Sequence, residues 1–97
     1  MARLETISDF QHQMAAIYGD RDAERGIART FAWLTEEIGE LSRAIFRGSH
    51  EMRVEEFSDV LAWVSSLAEQ AGIDLEDAVQ RYADGCPRCG FTPCDCE

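Results

Sequence analysis

The chain has 97 residues, with 19 Asp and Glu, nine Arg as its entire basic complement, two His and four Cys, for a formal net charge of −10. A chain of that length builds one hydrophobic core, and its acidity excludes gripping polymeric nucleic acid or an anionic lipid surface through a dense basic face.

Leu4, Ile7, Phe10, Met14 and Ile17 recur at spacings of three and four, which predicts a first helix over about residues 3–17. Ser8 with Gln11 has the form of a capping box at its start. A polar stretch, Gly19 to Gly26, then interrupts the pattern. A second helix is predicted over about 22–47, where Ile27, Phe31, Leu34, Ile38, Leu41 and Ile45 keep an unbroken 4-3-4-3-4 rhythm. Gly48 suits its stop and Ser49 the next N-cap. Val54, Phe57, Leu61, Val64 and Leu67 or Ala68 predict a third helix over about 51–71, antiparallel to the second because the connection is so short. Gly72 ends it. Asp74 caps a short fourth helix over about 74–83, and Gly85 precedes a cysteine-rich tail.

Nothing alternates with period two, so the expected fold class is all-α, an antiparallel helical bundle over residues 1–85 followed by the tail at 86–97. A seam as regular as that of the second helix is hard to bury within so few helices, and self-association is expected. The apolar run Val60 to Val64 is far short of the roughly 20 residues a membrane span needs. Glu5 and Asp9 stand where a signal peptide would need an apolar core, so a cytoplasmic location is expected, with no membrane partner.

The informative residues are carboxylates. Glu36, Glu37 and Glu40 lie on the second helix, Glu56 and Asp59 on the third, and residues three apart share a helix face. In a hairpin turning at position 48, residues whose numbers sum to 96 sit at one height: Glu40 with Glu56, Glu37 with Asp59, and Trp33 with Trp63. Four carboxylates then form two rungs separated by roughly 4.5 Å along the axis, above an aromatic rung. Most charged runs are solvated helix faces. Here, however, facing pairs of like charges repel unless cations neutralise them, and Arg43, Arg47 and Arg53 are too few to do so. All-oxygen ligation selects Mg²⁺, with Mn²⁺ as a substitute. A di-iron bundle would need Glu-x-x-His, which neither motif supplies, and His12 and His50 are assigned no role.

Glu-Glu-x-x-Glu, a gap of fifteen residues and then Glu-x-x-Asp, with the downstream Gly72-Ile-Asp-Leu-Glu-Asp-Ala78, resembles the MazG-like nucleoside triphosphate pyrophosphohydrolases over about residues 27–82. The resemblance implies Mg²⁺-dependent hydrolysis of a nucleoside triphosphate between its α and β phosphates, releasing nucleoside monophosphate and pyrophosphate, an activity suited to house-cleaning of the nucleotide pool. It implies that Glu37, Glu40, Glu56 and Asp59 hold Mg²⁺ and that Glu36 orients or deprotonates the attacking water. It also implies a homodimer or homotetramer. An acidic protein then binds a polyanion through bridging metal. Trp33 and Trp63 are candidates for stacking on the base. The chain departs from the family in lacking the Lys that commonly contacts phosphate downstream; Arg81, Arg43, Arg47 or a neighbouring subunit would replace it.

Cys86-Pro-Arg-Cys89-Gly has the form of a zinc knuckle, and Cys94-Asp-Cys96 adds two thiols, enough for a structural Cys₄ zinc site. Free thiols or a labile disulfide are the alternatives. A tail of this kind also admits a second function, a non-catalytic helical adaptor that works through its zinc-binding tail.

Overall fold

In a computed structural model, residues 3–97 are described. Among them are four α-helices, one short 3₁₀ turn and no strand, so the protein is all-α as expected.

The first helix begins later and ends much later than its apolar spacing suggests. Helix α1 spans Ile7–Arg25. The Thr6 hydroxyl accepts from the Asp9 backbone N–H at 2.9 Å, and the Asp9 carboxylate accepts from the Thr6 N–H at 3.3 Å. The capping box is therefore Thr6/Asp9 rather than Ser8/Gln11, because an Asp at the third helical position reaches back as a Glu would. The helix runs on through Gly19 and the charged run after it. That run is held by an Arg25–Asp22 ion pair and by the Gln70 side chain, which donates to the Asp22 carbonyl. Gly26, at φ +83°, makes the break, so helix α2 starts at Ile27 rather than near Asp22 and spans Ile27–Arg47.

Helix α3, His50–Gln70, returns after the two-residue link Gly48-Ser49, and the Ser49 hydroxyl caps it by accepting from the Met52 N–H at 3.2 Å. A Cβ on Gly48 would lie 2.8 Å from the Ala44 carbonyl oxygen, so the link needs glycine there. Arg53 reaches back across the hairpin and donates to the Ala44 and Ile45 carbonyls at 3.1 and 3.0 Å; the Ala44 oxygen also accepts from the Gly48 N–H, and the Ile45 oxygen is an acceptor that the end of α2 leaves open. Helix α4 is only Leu75–Val79, capped by Asp74 as expected, and a 3₁₀ turn at Gln80–Tyr82 completes the segment read as helix over 74–83.

Helices α2 and α3 form the hairpin, and α1 packs mainly along α3. The small buried residues Ser65, Ser66 and Ala68 mark the tightly packed half of α3. Gln11, buried on α1, is the hub of the junction with the α3–α4 turn. Its amide donates to the Glu69 carboxylate at 3.1 Å and the Ile73 carbonyl at 2.9 Å, and its oxygen accepts from the Leu75 N–H at 2.8 Å. Gln11→Met keeps the volume but leaves those groups unpartnered. It is expected to cost about 2 kcal/mol, read as a lower urea midpoint without a changed slope.

The apolar interior is small. Among the described residues only Leu34, Ala44 and Ala68 are buried apolar side chains, whereas Ile27, Phe31, Ile38, Val54, Phe57 and Leu61 are each 50–56% exposed. The regular seam of α2 is thus mostly uncovered within one chain. No helix among the described residues is long and apolar enough to cross a membrane.

Candidate functional site

The hairpin register determines what meets what. Trp33 and Trp63 stack, with ring centroids 6.0 Å apart and planes 14° from parallel, as the shared height of positions summing to 96 requires. One turn nearer the link, Glu37 of α2 meets Glu56 and Asp59 of α3. One carboxylate oxygen from each lies within 4.8 Å of the other two.

This trio is electrostatically uncomfortable. Burial and then the charges of Asp59, Glu56 and Glu40 hold the Glu37 carboxyl above its ordinary value. Glu56 Oε2 is buried and has no hydrogen-bond partner. Nearby guanidinium groups are committed elsewhere: Arg43 to Glu40, Arg53 to the end of α2, and Arg25 to Asp22. Three convergent oxygens with an unpartnered buried lone pair and no neutralising cation fit a hard divalent ion such as Mg²⁺.

Glu40 stands outside the trio. Its two oxygens accept from Arg43 Nη1 at 3.2 and 3.1 Å, while the Glu56 carboxylate meets those of Glu37 and Asp59. The reason is local, because Arg43 lies one turn along the same helix face and competes for Glu40. Glu36 is exposed on the adjoining face, where it lines a concavity of about 600 Å³ with Arg21, Glu24, Arg25, Arg29, Ala32 and Trp33. A second cleft of about 250 Å³ joins Asp59 and Trp63 to Tyr18, Arg21, Asp22, Arg25, Ala62 and Ser66. The Arg25 guanidinium sits over the Trp63 ring, 4.8 Å from its centroid.

Arg21 and Arg25 therefore connect the acids to the tryptophans, and Arg29 extends the basic wall. None of the three is singled out by the sequence motifs. For Arg21 and Arg25 the signal was a spacing of four on one helix face, visible only if the first helix continues past Gly19, whereas Arg29 lies beyond the Gly26 break, in the first turn of α2. The arginines proposed from sequence lie elsewhere: Arg43 on Glu40, Arg47 exposed in the last turn of α2, and Arg81 over the Tyr82 ring with Nη1 donating to its hydroxyl at 3.3 Å. None of them lines either cleft.

The four cysteines are free thiols, and their sulfurs all lie within 4.8 Å of one another. Hydrogen bonds from the Cys89 and then the Arg88 backbone draw the Cys86 thiol down to about 6. The thiols of Cys94, Cys86 and Cys89 push Cys96 up to about 11.

A family model described as the MazG nucleotide pyrophosphohydrolase domain matches residues 25–88. The match takes in both acidic motifs and both tryptophans and ends one residue before Cys89. No curated protein matches the chain.

Proposed function

Because the chain belongs to the MazG nucleotide pyrophosphohydrolase family, we propose that it is a Mg²⁺-dependent nucleoside triphosphate pyrophosphohydrolase that cleaves between the α and β phosphates. The observation that carries this reading is the Glu37–Glu56–Asp59 trio, with its unpartnered buried oxygen, beside clefts walled by arginine and tryptophan. Bound Mg²⁺ would neutralise phosphate oxygens and lower the pKa of an attacking water.

The residues divide the remaining work. Glu37, Glu56 and Asp59 hold the metal, and Glu40 joins them on leaving Arg43. Arg21 and Arg29 contact phosphate oxygens, a charge-assisted interaction that balances what the metal leaves uncompensated. Glu36, on the wall that carries those arginines, orients or deprotonates the water. Trp33, 46% exposed with Trp63 stacked behind it, offers its free face to a base. The enzyme works as a homodimer or homotetramer, since its uncovered apolar faces need a second copy, and clearing unwanted nucleotides is its role.

Incubation with a panel of ordinary and modified triphosphates in Mg²⁺, assayed for pyrophosphate and nucleoside monophosphate, tests the reading. Turnover is expected for at least one, lost without divalent metal. Arg21→Ala with Arg29→Ala should raise KM at least tenfold, from about 1.5–3 kcal/mol per charged hydrogen bond. Absence of turnover across the panel, or release of phosphate rather than pyrophosphate, refutes it.

A further inference from the structure

The last twelve residues, Cys86 to Glu97, have no apolar core of their own. Only Cys86 and Cys89 among them are half-buried, and the rest are exposed. So short a segment holds a defined shape only when something other than apolar burial fixes it, commonly a disulfide or a metal. No disulfide is present, yet the four sulfurs converge.

We propose that Cys86, Cys89, Cys94 and Cys96 bind one zinc ion as four thiolates, making the tail a metal-folded module on the helical body. The geometry carries this. A zinc–sulfur distance of about 2.3 Å in a tetrahedron gives sulfur–sulfur edges of about 3.8 Å, whereas a disulfide would bring two sulfurs to about 2.0 Å. Cys86 and Cys96 stand 3.7 Å apart, and every other pair lies within 4.8 Å.

The backbone is built around that centre. Gly90, at φ +79°, lets its N–H return to the Cys86 carbonyl at 2.7 Å, and the Cys86 N–H donates to the Phe91 carbonyl at 3.0 Å. This closes a tight loop that carries Cys86 and Cys89 together. A Cβ on Gly85 would lie 2.7 Å from the Thr92 hydroxyl, so the bare glycine lets the returning chain bring in the second pair. The N–H groups of Asp95 and Cys96 point at the sulfurs of Cys89 and Cys94, each at 3.3 Å, where they disperse thiolate charge.

Four soft thiolates in a tetrahedron select zinc over the hard cation of the carboxylate site. Binding releases the thiol protons to solvent and transfers no electrons. With all four positions filled by sulfur there is no place for water, so the ion is structural. Cys89, Cys94 and Cys96 lie beyond the family match, and the inference does not depend on the pyrophosphohydrolase reading.

The full chain, purified without chelator, is expected to carry one zinc per chain by elemental analysis. A thiol-modifying mercurial should release it, and the Glu37→Gln variant should retain it. Cys89→Ser and Cys94→Ser should each lose the metal and the amide-exchange protection of residues 86–97, with helical circular dichroism unchanged. Cobalt(II) in its place should give the intense visible bands of a tetrahedral tetrathiolate. Overturning outcomes are a zinc-free chain that also takes up no cobalt, iron in the site, or zinc that survives both cysteine substitutions but is lost from Glu37→Gln.

Discussion

Glu56→Gln is expected to lower pyrophosphate release by about a thousandfold while making the metal-free protein more resistant to heat. The loss of activity follows if the carboxylates hold the catalytic cation, whose stabilisation of transition-state charge amounts to several kcal/mol at roughly 1.4 kcal/mol per tenfold. The gain in stability follows from the crowding of Glu37, Glu56 and Asp59. Two unit charges about 4 Å apart repel by about 1 kcal/mol even in a watery setting, and relief of that size raises the midpoint by roughly 4–8 °C in a domain this small.

The pH dependence has a definite sign. The folded-state value of Glu37 lies above its ordinary 4.5. Between that ordinary value and the raised one, the folded chain binds more protons than the unfolded chain, so metal-free stability falls as pH rises through the window. Above the raised value the penalty is fully present. Glu56→Gln removes one contributor and should shallow this fall, and it should also abolish the Mg²⁺-induced rise in midpoint that binding to the folded state alone produces. Thermal melts at acidic and neutral pH, with and without Mg²⁺, check all three. A variant that melts lower without metal, or that still shifts with Mg²⁺, would contradict the assignment.

Phe57→Glu is expected to turn an oligomer into a monomer. The chain exposes 7553 Å², against about 5,600 Å² for a typical folded monomer of its mass, and its radius of gyration is 15.5 Å where about 12.5 Å is usual for its length. The excess on one chain is about twice the roughly 800 Å² that each partner buries in a standard interface, and so matches the large interfaces of obligate homo-oligomers. Phe57 and Leu61 of α3 are half-exposed, and Leu61 also lines an apolar concavity of about 490 Å³ with Leu4, Ile7, Phe10, Leu75 and Val79. Losing a buried Phe costs about 2–3 kcal/mol, and a charge placed in an apolar interface adds to it, so self-association should weaken at least a hundredfold. Sedimentation equilibrium reads this directly. A wild-type chain that stays monomeric at micromolar concentration would refute it.

The hairpin was legible because its information is local. An unbroken apolar rhythm on either side of Gly48-Ser49 specifies two helices and their antiparallel return, and integer register then places Trp33 on Trp63 and Glu37 by Asp59. Register sets heights but not rotamers. It could not say that Glu40 would turn to Arg43, which is decided by a competition one turn away on the same helix. The extent of α1 was hidden for a different reason. Gly19 and a charged run resemble a loop, and what keeps them helical includes a side chain 48 positions away, Gln70 on the Asp22 carbonyl. That misjudged end concealed Arg21 and Arg25, which share a face of α1, and with them the wall that Arg29 of α2 extends. In the tail, the spacing of the cysteines raised the expectation of a metal site, but the meeting of their sulfurs depends on the turns at Gly85 and Gly90.

The two-residue link at Gly48-Ser49 acts on the rest of the hairpin as a reading frame acts on a message. One residue inserted there would advance every position of α3 by 1.5 Å and about 100° relative to α2, separating the tryptophan stack and the carboxylate trio in a single event. Point substitutions remove these contacts one at a time. Across descendants of this chain, length at the link should therefore be the least tolerated change in the molecule, even though neither linking residue touches the site. The same fact makes residues 33–63 a portable cassette, in which aromatic and acidic partners arrive already aligned wherever a host bundle can cover the apolar back of the hairpin.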